Sequence, residues 1–193
     1  MSHHIYQTEA FVIDSRPSGE ANKIVYLFTK DLGLVVAAAQ GVRLLKSKLR
    51  YSLQDFSYSK VSLVRGKEMW RLTSAGLVEK LLAKMSPDSF AFARGLSLVK
   101  RLVQGEEKNE ALFETLRHAA DFLSSREIDQ ASPEAFEQLL VLRILHTLGY
   151  VSLHSFTAFL DNSEWSLPLL ERVESERKDI ISAINKALTE SQL

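Results

Sequence analysis

The spacing of apolar positions changes near Lys80 of this 193-residue chain. Before it, apolar residues come in short runs rich in β-branched side chains: Phe11-Val12-Ile13, Ile24 to Phe28 and Leu34 to Ala39. Arg16-Pro17-Ser18-Gly19 and Lys30-Asp31-Leu32-Gly33 supply turn chemistry between them. Tyr58 to Val64 alternates, with Val61 and Leu63 on one face and Lys60 and Ser62 on the other. Arg65-Gly66-Lys67 then turns the chain into Met69 to Thr73. Five short strands with no long helix among them predict a small closed barrel, because closure removes exposed sheet edges. The OB-fold is the five-stranded barrel of this size.

After Lys80 the period becomes helical. Ser86-Pro87-Asp88 reads as an N-cap followed by proline at the first helical position, and Phe92, Leu96, Val99 and Val103 follow at helical spacing up to Gly105. Asn109 caps a second predicted helix carrying Leu112, Leu116, Ala119 and Leu123. Ser132-Pro133-Glu134 opens a third, FEQLLVLRILHTLGY, apolar nearly all round and stopping at Gly149. A helix without a polar face belongs at the centre of a bundle. A last helix from about Leu169 puts Val173, Ile180, Ile184 and Leu188 on one stripe. The expectation is an α+β chain of two domains: a barrel over residues 1–80 and a helical bundle over 81–193.

Charge sharpens that division. The chain is formally neutral, yet residues 1–80 hold 12 Lys+Arg against 7 Asp+Glu, and residues 81–193 hold 12 against 17. Between Gly41 and Arg71 the count is 8 basic to 2 acidic. Opposite signs suggest modules with different partners, the first an anion binder. The densest run is GVRLLKSKLRYSLQDF, residues 41–56, where Arg43, Lys46, Lys48 and Arg50 fall within eight residues and Tyr51 and Phe56 follow. Cations beside aromatics suit single-stranded nucleic acid, whose phosphates take the charge and whose unstacked bases take the rings. Arg16, Lys23, Arg65, Lys67 and Arg71 are candidates to extend the same surface. Among the rings, Tyr51 is expected to be exposed as a stacking platform and Trp70 to fill the core, with Phe56 and Tyr58 between these fates.

Other chemistry is absent. With 0 Cys, disulfides and thiolate zinc sites are excluded. His118, His146 and His154 fall on different elements without ligand spacing, and His3 and His4 are terminal, so no metal site is expected. There is no nucleophile elbow, Walker loop or dinucleotide fingerprint, and the Glu106-Glu107 pair sits before a helix start, where negative charge favours the dipole. No catalytic residue, enzyme activity or cofactor is expected. No apolar run approaches ~18 residues and MSHHIYQTEA carries no signal-peptide pattern, so cytoplasmic residence without membrane contact is the expectation.

Landmarks across residues 5–80 resemble the N-terminal domain of the DNA repair protein RecO family. They include Glu9-Ala10, Ser15-Arg16, Glu20, Ile24-Val25, Leu27-Phe28-Thr29, Gly33-Leu34, Ala39-Gln40-Gly41-Val42-Arg43, Lys46-Ser47, Leu53, Phe56, Leu63, Arg65-Gly66, Trp70 and Thr73-Ser74-Ala75. More loosely, LRILHTLGY resembles the family's buried helix ending in Leu-Gly-Tyr. The resemblance implies a bacterial, nucleoid-associated recombination mediator that binds single- and double-stranded DNA and promotes strand annealing. It also implies engagement of RecR and of the C-terminal tail of single-stranded DNA-binding protein, and help in loading RecA. For that acidic, hydrophobic-ended tail the candidate contacts on the helical half are Lys100, Arg101 and Arg143. Two departures stand out. Many family members bind zinc through four cysteines after the Leu-Gly-Tyr helix, whereas VSLHSFTAFLDNSEWS has none; and Gln40 stands where lysine is common. The chain is also short for the family. A scaffold whose barrel binds RNA or protein without annealing is the alternative, because nothing in the sequence reads a 2′-hydroxyl.

Overall fold

The computed structural model describes residues 4–81, 86–125, 127–151, 156–161 and 164–191. Its first part is β1 (Ile5–Ser18), β2 (Asn22–Thr29), β3 (Gly33–Ala39), β4 (Ser57–Arg65) and β5 (Trp70–Lys80), with a short helix, α1 (Leu49–Ser52), between β3 and β4. The strands pair in the order β1-β2-β3-β5-β4 and close back onto β1, the barrel order of an OB-fold. All pairings are antiparallel except β3 with β5, a parallel seam of Ala37 with Trp70, Ala38 with Arg71 and Ala39 with Leu72.

Alternation explains the barrel interior. Along β3, Val35, Ala37 and Ala39 are buried while Leu34, Val36 and Ala38 are half-buried, which is the period-two pattern of a pleated strand. Ala10, Val12, Val25, Leu27, Val61, Leu63, Leu72 and the Val42 and Leu53 side chains of the β3–β4 connection join the same core. Trp70 is also inside, 3% exposed, and its partner across the seam is Ala37, a small residue that leaves room for the indole. Each fully buried large apolar side chain contributes about 1.5–3 kcal/mol.

The first strand outruns the sequence reading. Arg16-Pro17-Ser18 reads as a turn, yet these residues pair with Ile24, Lys23 and Asn22, and the turn falls after Ser18. Proline is tolerated there because β4 accompanies β1 only from Ile5 to Phe11, leaving that edge of β1 unpaired beyond it.

Further on lie α2 (Pro87–Leu102), α3 (Glu110–Ser124), α4 (Pro133–Thr147), α5 (Leu167–Ser175) and α6 (Arg177–Glu190). Ser86 Oγ accepts from Ser89 N–H at 3.2 Å and Ser132 Oγ from Ala135 N–H at 3.3 Å, the caps expected ahead of Pro87 and Pro133. Helix α4 buries Phe136, Leu139, Leu140, Leu142, Ile144 and Leu145. The final stripe forms two helices rather than one. The backbone leaves the helix at Glu176 (φ −101°, ψ 15°), beside Ser175, whose hydroxyl donates to the Arg172 carbonyl at 2.8 Å.

Backbone contacts divide the chain into two compact units, Met1–Ala83 with Lys100–Glu110, and Lys84–Val99 with Ala111–Leu193. Residues 100–110 therefore count with the barrel. Among the described residues, no helix is long and apolar enough to cross a membrane, and no group of three His, Asp or Glu is placed to hold a metal. His3 and His154 lie outside the described residues.

Candidate nucleic-acid interface

The basic connection between β3 and α1 is tied to the β1–β2 turn. Gly41 N–H donates to Asn22 Oδ1 at 2.9 Å, Arg43 N–H to the Ala21 carbonyl at 2.9 Å, and Arg43 Nη1 to the Gly19 carbonyl at 2.7 Å. Val42, 2% exposed, anchors the loop in the barrel core. Arg43, Leu44, Leu45, Lys46, Lys48, Arg50 and Tyr51 are exposed around that anchor, while Ser52 and Leu53 turn inward.

Lys23, Arg43 and Arg50 line one cavity of about 420 Å³ together with Val42 and Gln54. No carboxylate lines it. Lys23 Nζ donates to Ser15 Oγ at 2.9 Å, and Ser15 in turn donates to Asp55 Oδ1 at 2.6 Å, so Lys23 is linked to Asp55 through a hydroxyl. A second barrel cavity, about 520 Å³, is lined by Ile5, Ala38, Gln40, Leu49, Val64 and Leu72, with Arg71 contributing the charge. A third, about 470 Å³, sets Glu9 and Asp31 beside Lys30 and Lys60; its charges offset one another and it suits a polyanion poorly. Among the described residues Arg16, Lys46, Lys48, Arg50, Lys67 and Arg71 make no ion pair, and all six are exposed.

The aromatic candidates separate. Tyr51 is 69% exposed. Tyr58 stacks on Phe11 with centroids 4.8 Å apart and donates its hydroxyl to Glu9 Oε2 at 2.7 Å. Phe56 is half-buried at a left-handed φ of 62°, its N–H donating to the Val12 carbonyl at 2.6 Å. Arg65 is not free: its guanidinium donates to Glu106. Three features escaped sequence reading. They are Gln54 in the cationic cavity, the exposure of Leu44 and Leu45 (57% and 88%), and the role of Glu106. Leu44 and Leu45 stand between cations, a signal for exposure that apolar character alone hides.

Residues 1–81, the whole barrel, match the family described as Recombination protein O N terminal. Residues 1–81 are a RecO-family N-terminal domain. It is 31% identical over 150 residues to the DNA repair protein RecO of Dehalococcoides mccartyi strain 195, covering 76% of this chain and 57% of the relative. With that of Heliobacterium modesticaldum it shares 33% over 149 residues, 76% of this chain and 52% of the relative. With that of Thermoanaerobacter sp. strain X514 it shares 29% over 153 residues, 76% and 59%. The chain thus spans little more than half the length of the curated RecO proteins it matches.

The match extends past the RecO-type barrel, and one candidate partner residue there, Arg143, needs correction. Arg143 is fully buried and does not stand at the mouth of a surface slot. A helix that is apolar all round encloses its charged residue with the rest. Arg143 Nε donates to the Phe159 carbonyl at 2.8 Å and the guanidinium lies 4.7 Å from the Trp165 ring centroid. Burial pushes its pKa down to about 10, against the pull of Asp161 and Glu164, so it remains a cation near neutral pH. Lys100 is also engaged. Its Nζ is 2.5 Å from Asp14 Oδ2 and 4.2 Å from the Tyr26 ring centroid, both on the barrel. Arg101 is exposed.

Proposed function

We propose that this chain is a non-enzymatic DNA-binding recombination mediator whose barrel captures nucleic-acid strands electrostatically. The observation that carries the reading is the convergence of Lys23, Arg43 and Arg50 on one acid-free cavity, next to a loop bearing Lys46 and Lys48. Such an arrangement neutralises phosphates and releases counterions, which gives binding with little sequence preference. Tyr51 supplies a stacking face at the loop's end, and Arg16 and Arg71 extend the charge along the barrel. Relatives named DNA repair protein RecO support a role in DNA repair and recombination. Residues 1–80 serve as the nucleic-acid module and 81–193, apart from the 100–110 segment that counts with the barrel, as the module that recruits proteins. Annealing of complementary strands, RecR and single-strand-binding-protein tail contacts, and delivery of RecA belong to this same reading.

The test is fluorescence anisotropy with labelled single-stranded oligonucleotides across a salt series. Affinity falls steeply with salt, and reversing Arg43, Lys46, Lys48 and Arg50 flattens the dependence. Equal binding by the reversed variant overturns the assignment of the surface. An annealing assay on protein-coated complementary strands separates a mediator, which accelerates pairing, from a scaffold, which does not.

A further inference from the structure

Residues 104–107 run across the barrel between α2 and α3 without helix or strand structure. They are held closely. Leu34 N–H donates to the Gly105 carbonyl at 3.3 Å, and a Cβ at Gly33 would collide with the Glu107 backbone. From this strap Glu106 reaches the turn between β4 and β5. Its Oε1 accepts from Trp70 Nε1 at 2.9 Å and its Oε2 from the Arg65 guanidinium. Arg65 lies 5.0 Å from the Trp70 centroid and Tyr6 meets the same indole edge-on at 5.2 Å. The indole's single N–H is thus taken by Glu106.

A guanidinium and an indole N–H converging on one oxyanion recognise a single negative charge shared by two oxygens. A carboxylate has that charge and shape; so does a phosphodiester. Exposed Lys67 and Arg71 flank the position in sequence with no ion pair among the described residues, which favours a polyanion over an isolated carboxylate. We infer that Arg65 and Trp70 form a phosphate subsite of the barrel which the chain's own Glu106 occupies, so that a bound strand exchanges carboxylate for phosphodiester. The inference rests on the nucleic-acid reading of the barrel. The exchange is inexpensive because the Arg65–Glu106 pair is partly solvated, with side chains 64% and 37% exposed, and exposed ion pairs contribute little. The indole N–H, buried with its ring, needs a replacement acceptor when Glu106 leaves, and the incoming phosphate provides one.

The experiment titrates a labelled oligodeoxythymidine into the full chain, its Glu106→Gln and Glu107→Gln variants, and the Glu106→Gln/Arg65→Ala double variant. Glu106→Gln binds about five-fold tighter at low salt, whereas Glu107→Gln, which removes the same charge one residue away, changes affinity less than about two-fold. Arg65→Ala cancels the gain. Amide exchange at Leu34 and residues 104–107 of the parent quickens when the oligonucleotide binds. Equal effects of the two glutamate changes, or an unaltered strap in a chain that does bind the oligonucleotide, overturn the inference and leave the DNA reading standing. Tighter binding of an acidic peptide but not of the oligonucleotide to Glu106→Gln overturns it in favour of a protein ligand. No oligonucleotide binding by any variant overturns the DNA reading and this subsite with it.

Discussion

Gly95 on α2 faces Leu140 on α4 so closely that a Cβ at position 95 would lie 2.5 Å from Leu140 Cδ2. Both residues are buried, and Ile144 Cδ1 lies 3.6 Å from the same point. Gly95→Ala gains about 1 kcal/mol of helix propensity but forces Leu140 from its place, and overpacking costs about 1–3 kcal/mol. The expected outcome is a lower urea midpoint followed by circular dichroism. Leu140→Val in the same background restores part of the loss; a stabilised Gly95→Ala would refute the close approach.

Arg143 carries a second prediction. Its Nη1 and Nη2 have no hydrogen-bond partner among the described residues, so its burial is a cost that packing must offset. Arg143→Met keeps most of the volume and removes the charge, and such exchanges are commonly neutral or stabilising. Arg143→Ala leaves a cavity and an unbonded Phe159 carbonyl, lowering stability by about 2–4 kcal/mol. Thermal unfolding of the two variants distinguishes these outcomes. The pH dependence has a definite sign. With a folded pKa of about 10, below the ordinary guanidinium range, the unfolded chain holds the proton more tightly. The cost is fully present below about 10 and is relieved as pH rises above it toward the ordinary guanidinium range. Parent and Arg143→Met stability curves therefore run parallel through the neutral range.

Tyr51 separates binding from folding. Its ring is 69% exposed, so Tyr51→Ala leaves the unfolding midpoint within about 0.5 kcal/mol of the parent. Loss of one stacked base weakens single-strand binding by about 1–3 kcal/mol. Unchanged anisotropy would remove Tyr51 from the surface.

Lys23→Gln, Arg43→Gln and Arg50→Gln test the cationic cavity one charge at a time. Removing one cation that neutralises a phosphate reduces the log–log salt slope by about 1. Lys186→Gln, on α6 and exposed, leaves the slope unchanged. A slope insensitive to all three cavity variants would move the binding surface elsewhere.

The barrel was legible because alternation is a local property. Val61 and Leu63 declare an inward face, and a strand that buries one face has little choice of register. Trp70 was legible as core because a small barrel must fill its interior with large apolar side chains. What escaped depends on partners distant in sequence. Nothing near Arg65 announces Glu106, nothing near Lys100 announces Asp14 and Tyr26, and periodicity on α4 ranks Arg143 as a charge without saying that Phe159 and Trp165 will enclose it. The break at Glu176 was hidden because the buried Val173 and Ile180 are seven apart, a spacing that keeps phase whether or not the backbone pauses between them. The short helix Leu49–Ser52 lies below the length at which periodicity can speak.

The parallel seam has a kinetic consequence. Only Ala37–Ala39 and Trp70–Leu72 join there, and the chain must first traverse the basic loop, α1 and β4. Pairings between distant segments repay their loop-closure entropy late, so cylinder closure follows the pairing of β1, β2 and β3 in folding. The shortest ladder is also the first to open in the folded protein. Amides along it exchange before those of the long β1–β2 ladder, making the barrel a rolled sheet with a latch rather than a uniform tube.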